Sequence, residues 1–270
     1  MSLYKFHTFN ENSISALESY SAWFAKPVTF NDPFEGLYKE VMNPINEALA
    51  AELIRYILHD RPEYIETLLN SKLEQNEWLN EMLIDFCKSM FRTQQANFHD
   101  SGVCCFINDG NVNPYEEPLM WGHYGNGLKG YAIEFESPSL NLFEHKNIGA
   151  VQVNYENEPP VIDCLGLTMR YIKKHNSDGN SIVPEILKIM TTKSKWWEYE
   201  NEMRFISFMD GNKLIKYNEG AIKSIIIGTK MPEWQKRTIK AIADKHQITD
   251  LKEAFTRDDS YKVGLRELLI

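Results

Sequence analysis

Trp196-Trp197-Glu198-Tyr199-Glu200-Asn201-Glu202-Met203-Arg204-Phe205-Ile206 packs three carboxylates, one guanidinium and four aromatic rings into eleven residues. A core strand does not need so many charges, and a solvated strand does not need so many rings. In a strand, side chains alternate between faces, which would put Glu198, Glu200, Glu202 and Arg204 on one side. Like charges at that spacing repel unless a cation sits among them. Arg204 supplies one, and a cationic or hydroxyl-bearing ligand would supply another. The stretch reads as one strand of a sheet and as the first candidate for a site.

Other short segments share its alternation. Leu3 to Phe9, Val28 to Phe30, Val103 to Ile107, Tyr131 to Glu136, Gly149 to Tyr155 and Thr249 to Phe255 read as strands, with Lys213 to Lys216 and Ser224 to Gly228 between the last two. Helical spacing governs other stretches. One helix is capped by Asn12 or Ser13 and runs through Ile14, Leu17 and Tyr20. Two or three helices fill Pro44 to Phe98, broken at Arg61-Pro62. Others are expected over Glu116 to Tyr124, Pro159 to Lys174, Ile182 to Thr191 and Glu233 to Lys245, with a loop at 177–180. The resulting expectation is an α+β fold. Its mixed, mostly antiparallel sheet lies in a single domain, 1–270, with 40–100 as a helical insertion after the first strands.

The chain has 270 residues, and its 43% hydrophobic content suffices for a sizeable core. Its net charge of -9 argues against broad nucleic-acid binding, because phosphate neutralisation needs clustered Lys and Arg. No run approaches 18 apolar residues and no apolar signal segment opens the chain, so no membrane partner is expected. Cys87, Cys104, Cys105 and Cys164 include no CxxC spacing. They read as reduced thiols of a cytoplasmic protein without a metal site.

Four clusters hold chemistry-bearing residues. Leu3-Tyr4-Lys5-Phe6-His7 carries an imidazole. Phe30-Asn31-Asp32-Pro33-Phe34-Glu35 carries Asn31 and Asp32 at a turn, where either side chain would cap its own backbone. Met120-Trp121-Gly122-His123-Tyr124-Gly125 offers Trp121 and Tyr124 as stacking rings and His123 as a titratable one. The competing reading makes Trp121 and Tyr124 core residues on one helical face. The fourth cluster adds Trp197, Glu200, Glu202 and Arg204. Its glutamates could accept ribose hydroxyls or stabilise an oxocarbenium-like centre. Its competing reading is an ion-pair ladder. The glycines at 125, 127 and 130 fit neither a P-loop nor a dinucleotide fingerprint.

In this order the clusters resemble a large uncharacterised bacterial family of unknown function. Its members show a Leu-Tyr-Lys-aromatic strand, a Phe-Asn-Asp-Pro-Phe-Glu turn, Met-Trp-x-His-Tyr and Trp-x-Tyr-Glu-x-Glu-x-Arg. More distantly, the chain is similar to the ADP-ribosyltransferases. That resemblance implies NAD as substrate, with His7 anchoring the adenine-side ribose and Tyr124 stacking on nicotinamide. It implies that Glu202 holds the nicotinamide ribose, with Glu200 as the upstream glutamate. Catalytic roles then fall to Glu202, Glu200 and His7. Tyr124, Trp121, His123, Trp197, Arg204, Asn31 and Asp32 would bind the substrate. The competing functional reading is a non-catalytic protein that binds a ligand or partner in a defence or toxin-like system. A third is a metal-dependent nuclease built on Asp32, Glu134 or Glu136.

Overall fold

The computed structural model describes residues 2–71, 76–110, 113–136, 142–143, 147–175, 184–208 and 210–268; the loop expected at 177–180 lies outside them. The strands are β1 (Ser2–His7), β2 (Ser21–Phe24), β3 (Lys39–Val41), β4 (Gly102–Asn108), β5 (Tyr131–Glu136), β6 (Ile148–Gln152), β7 (Asn154–Glu156), β8 (Val161–Asp163), β9 (Thr192–Ser194), β10 (Glu202–Ser207), β11 (Lys213–Lys216), β12 (Ile222–Gly228), β13 (Leu251–Thr256) and β14 (Val263–Glu267). The α-helices are α1 (Glu11–Glu18), α2 (Glu47–Ile57), α3 (Ile65–Leu69), α4 (Glu77–Asp100), α5 (Pro118–His123), α6 (Cys164–His175), α7 (Pro184–Thr191) and α8 (Glu233–Lys245). This is an α+β fold, and the chain divides into two compact units. Met1–Phe30, Asp100–Tyr155 and Lys195–Ile270 form the first; Asn31–His99 and Glu156–Ser194 form the second.

The first unit is built on an eight-stranded sheet in the order β14-β13-β12-β5-β1-β4-β10-β6. Only the β12–β13 pair is parallel; the other neighbours in this sheet are antiparallel. A parallel pair needs a crossover, and α8 supplies it. The pleat sorts the side chains. Leu3, Phe106, Phe205, Ile133 and Phe135 pack with Ile239, Ile242 and Ala243 of α8. Tyr4, Phe6, Ile107, Ala132 and Ile226 pack on the opposite face with Met120 and Trp121 of α5. Each fully buried large apolar side chain contributes about 1.5–3 kcal/mol.

Local chemistry sets the boundaries. The cap of α1 is Asn10 rather than Asn12 or Ser13. Asn10 Oδ1 accepts the Ser13 N–H at 2.9 Å, and Ser13 Oγ accepts the Asn10 N–H at 3.1 Å. This reciprocal pair satisfies two donors that a helix start leaves open. In α8, Glu233 and Lys245 complement the two ends of the helix dipole. Trp234 stays 63% exposed, with its ring edge-on to Phe9, so Ile239 and Ile242 rather than Trp234 seat the helix.

The strand expected over Val28 to Phe30 is a 3-10 turn, Pro27–Thr29, because Pro27 fixes φ and offers no N–H to a ladder. The preceding Ser21–Phe24 is the strand, paired with β11. The strand expected over Gly149 to Tyr155 is divided at Val153 into β6 and β7.

In the second unit, α2 packs on α6. Leu53 and Ile54 of α2, Leu79, Leu83, Cys87 and Phe91 of α4, and Leu167 of α6 are buried. Asn46 caps α2 by accepting the Leu49 N–H at 3.0 Å. The helix expected from Pro159 begins only at Cys164. Val161–Asp163 pairs in parallel with β3, and Asp163 Oδ1 then takes the Leu165 N–H at 3.1 Å.

Candidate functional site

The stretch 196–206 is not one continuous strand. Lys195–Glu200 forms a 3-10 turn, Asn201 adopts φ 42°, and β10 starts at Glu202. Asn tolerates this left-handed backbone better than most residues. The kink is pinned: the Asn108 N–H donates to Asn201 O at 3.0 Å, and Asn201 Nδ2 donates to Asn108 O at 3.2 Å. Glu198 and Glu200 therefore leave the row that Glu202 and Arg204 keep.

Within β10, Arg204 Nε donates to Glu202 Oε1 at 2.8 Å, and the two side chains are 1% and 4% exposed. The Arg204 guanidinium also lies over the Phe30 ring, 5.5 Å from its centroid. The Tyr155 hydroxyl accepts the Glu202 N–H at 2.8 Å. Cys105 stands beside this pair in register with Arg204. Burial first, then the charge of Glu202, holds its thiol well above the ordinary range. This half of the stretch is an internally neutralised pair.

Glu200 is buried, and the Tyr124 hydroxyl donates to its Oε1 at 2.6 Å. Tyr124 closes α5, whose preceding residue His123 is exposed. The His123 ring is 5.9 Å from Trp197, edge-on, and 6.3 Å from Tyr199, near-parallel at 26°. Trp197 and Tyr199 are 6.1 Å apart. Burial raises the Tyr199 phenol to about 12, with the charges of Glu200 and Glu117 adding to the effect. Four rings thus lie next to one another, His123 and Tyr124 from α5 and its cap, Trp197 and Tyr199 from the 3-10 turn, and one of them, Tyr124, bonds the buried Glu200 carboxylate.

Trp121 does not join them. It is 1% exposed, its Nε1 donates to Tyr115 O at 2.8 Å, and its ring meets Phe6 edge-on at 5.1 Å. It anchors α5 from beneath. The turn at 125–130 serves the same anchoring. A Cβ on Gly130 would lie 2.2 Å from His7 O, so the backbone approach there requires glycine.

His7 is separated from Glu202 by the sheet itself. Tyr4 pairs with Ile107, and Ile107 pairs with Glu202, so these three share a face. His7 lies three residues further along β1, an odd offset that turns it to the other face. Strand spacings put the two Cα atoms on the order of 14 Å apart. The His7 ring instead stacks on Tyr131 at 5.1 Å. Desolvation, then the Lys5 charge, lowers its pKa to about 3, so it stays neutral. The expected meeting of His7 with Glu200 and Glu202 does not occur.

Asn31 and Asp32 fall in the second unit. Asp32 is buried, its Oδ1 accepts the Phe34 N–H at 2.9 Å, and its carbonyl accepts the Glu35 N–H at 3.1 Å. Glu134 is buried under donors: Ser2 Oγ at 2.9 Å, Lys223 Nζ at 2.6 Å and Ser224 Oγ at 2.7 Å. Among the described residues, no group of three or more His, Cys, Asp or Glu could hold a metal ion. Among the same residues, no helix is long and apolar enough to cross a membrane.

Sequence reasoning assigned no role to Tyr199, Cys105 or Tyr155. Tyr199 carried a signal, since it sits two residues from Trp197 inside the charged stretch. Tyr155 carried none, because its contact with Glu202 depends on the pairing of β6 with β10.

Residues 120–205 match the model of a family described as protein of unknown function (DUF2971). The matched stretch contains His123, Tyr124, Trp197, Tyr199, Glu200, Glu202 and Arg204. The Leu3–Phe6 and Phe30–Glu35 motifs lie outside it. No curated protein and no solved structure matches the chain.

Proposed function

We propose that this chain is a ligand-binding protein whose site is the ring cluster of His123, Tyr124, Trp197 and Tyr199 with Glu200. The ligand is a small molecule with a flat ring and a donor edge. The ring stacks on the aromatic faces, and the hydroxyl or N–H edge donates to the Glu200 carboxylate. The observation that carries this reading is the 2.6 Å hydrogen bond from Tyr124 to Glu200. A buried carboxylate is costly unless donors satisfy it. Here a phenol holds it in place at the edge of half-exposed rings. Cytoplasmic residence belongs to the same proposal, supported by four free cysteines.

Thermal unfolding monitored against nucleosides, nucleotides and other flat-ring metabolites tests it. The expected result is a stabilising ligand whose apparent affinity falls about tenfold in Tyr124→Phe, because the Glu200 carboxylate loses the phenol that orients it toward the ligand. Equal stabilisation of wild type, Tyr124→Phe and Trp197→Leu would place the ligand elsewhere.

A second reading keeps the ADP-ribosyltransferase resemblance: cleavage of the N-glycosidic bond of NAD. It is favoured by the proximity of Tyr124 to Glu200, two positions that the resemblance brings together. Glu202 is already neutralised by Arg204, so Glu200 would hold the ribose hydroxyl and stabilise the oxocarbenium-like centre. Position 7 could take no part, since it faces the other side of the sheet. Nicotinamide release from NAD that disappears in Glu200→Gln supports this reading; release at background level from the wild type removes it.

A further inference from the structure

We propose that the large sheet carries a docking site for single-stranded nucleic acid at the end where β1 stops and α8 starts. The site is independent of the ring cluster, because α8 and α5 pack on opposite faces of the sheet. Most cations of the first unit are engaged by carboxylates. On α8, Lys236 bonds Glu233 and Glu253, Lys240 bonds Asp244, and Lys245 bonds Glu18. Among the described residues of this unit, Lys5, Lys129, Lys195, Lys216, Lys230 and Arg237 make no ion pair. Three of these six lie together. The Lys230 N–H donates to Leu128 O at 3.0 Å, which sets the turn holding Lys129 against the turn holding Lys230. His7 ends β1 at the same place, its carbonyl close against Gly130, and Phe9 follows two residues later. Phe9 meets the Trp234 ring edge-on at 5.4 Å. Arg237 stands one turn beyond Trp234 on the same side of α8.

Lys129, Lys230, Trp234 and Arg237 are all exposed. Three unpaired cations in a chain of net charge -9 form a local attraction for anions that the whole molecule does not share. Glu11, at the start of α1, offsets one of the three. Trp234 supplies what charge alone does not. Its indole is 63% exposed and is steadied on one side by the half-buried Phe9. The bases of a single strand have free faces that stack on such a ring while the phosphates meet Lys and Arg. In a duplex those faces are already stacked on one another, and Trp234 would gain nothing. An anionic bilayer is a poorer match, because one exposed indole is a small apolar area to bury at its surface.

Fluorescence anisotropy of labelled oligo-uridylate and oligo-thymidylate tests this. Their duplexes with oligo-adenylate, polyglutamate, and vesicles of phosphatidylcholine and phosphatidylserine serve as competitors. Both single strands are expected to bind, with log affinity falling against log salt at a slope of about -2, since three cations each meet one phosphate. Trp234→Ala should weaken binding about tenfold through lost stacking and leave that slope unchanged. The double variant Lys230→Gln/Arg237→Gln should flatten the slope to about -0.7. These positions are exposed, and thermal melts check that the variants fold. Trp197→Leu, in the ring cluster, should bind the strands as the wild type does. A tighter complex with one of the two strands supports the proposal and names RNA or DNA as the source. No binding of either strand at low salt overturns it. So does binding that Trp234→Ala and the double variant both leave intact. Competition by duplex, polyglutamate or vesicles as strong as by unlabelled single strand overturns it as well, in favour of the competitor.

Discussion

Arg204 and Glu202 stand two residues apart on β10, joined through Nε and Oε1 at 2.8 Å and almost wholly shut off from solvent. Each charge lowers the cost of burying the other. Arg204→Met is expected to cost about 3–5 kcal/mol, because it takes the guanidinium away from a buried carboxylate. The double variant Glu202→Leu/Arg204→Met should lose less than the two single losses added together. Urea unfolding of the four proteins measures this. A single-variant loss under about 1 kcal/mol would mean that the pair behaves like an exposed one.

His7 makes the stability of the fold sensitive to acid. Its folded pKa of about 3 lies below the ordinary 6.5. Between those values the unfolded chain takes up a proton that the folded chain refuses, so stability falls as pH drops through that window. His7→Asn should flatten the dependence of unfolding free energy on pH over the upper part of the window, where carboxylates contribute little. An unchanged slope would show that the ring is readily protonated in the folded protein.

Trp121→Ala should destabilise by about 3–5 kcal/mol through cavity formation. It should also weaken whatever binds at the ring cluster, since Trp121 supports the helix that presents His123 and Tyr124. The milder Trp121→Phe separates the two effects. Thermal melts near wild type with normal ligand affinity would confirm that this indole acts only as a support. Normal melts with lost affinity would contradict it.

Two glycines test two different demands on the backbone. A Cβ at Gly228 would lie 2.2 Å from Leu128 O, so Gly228→Ala should cost about 1–3 kcal/mol by overpacking. Gly127 has open space around it but φ 62°, so Gly127→Ala should cost about 1 kcal/mol and Gly127→Asn less. Equal losses in all three variants would defeat the distinction.

What could be read from the chain followed how local its cause was. β1, β4, β5 and α8 were visible because alternation and helical spacing are local patterns that burial later rewards. The Asn10 cap was missed by two residues, a matter of which of several capping side chains wins. The 196–206 stretch was misread as a strand throughout because its alternation is real. Bonds between Asn201 and Asn108, far apart in sequence, override it. The hydrogen bond from Tyr124 to Glu200 joins residues far apart in sequence, which no local pattern encodes. The exclusion of His7 was invisible, because a face is assigned only once the register of β1 on β4 and of β4 on β10 is known. A slip of one residue in either pairing would have reversed it.

The placement of β1 in the middle of the large sheet has a consequence for biosynthesis. Its two neighbours, β4 and β5, are encoded about a hundred residues later. During translation this apolar ribbon leaves the ribosome with both edges bare and must wait for the rest of its sheet. Loop closure over such a span is slow, and an unpaired edge invites strangers. A nascent chain stalled before residue 102 should therefore be a substrate for chaperones, whereas one released past residue 136 can begin to shelter its own beginning.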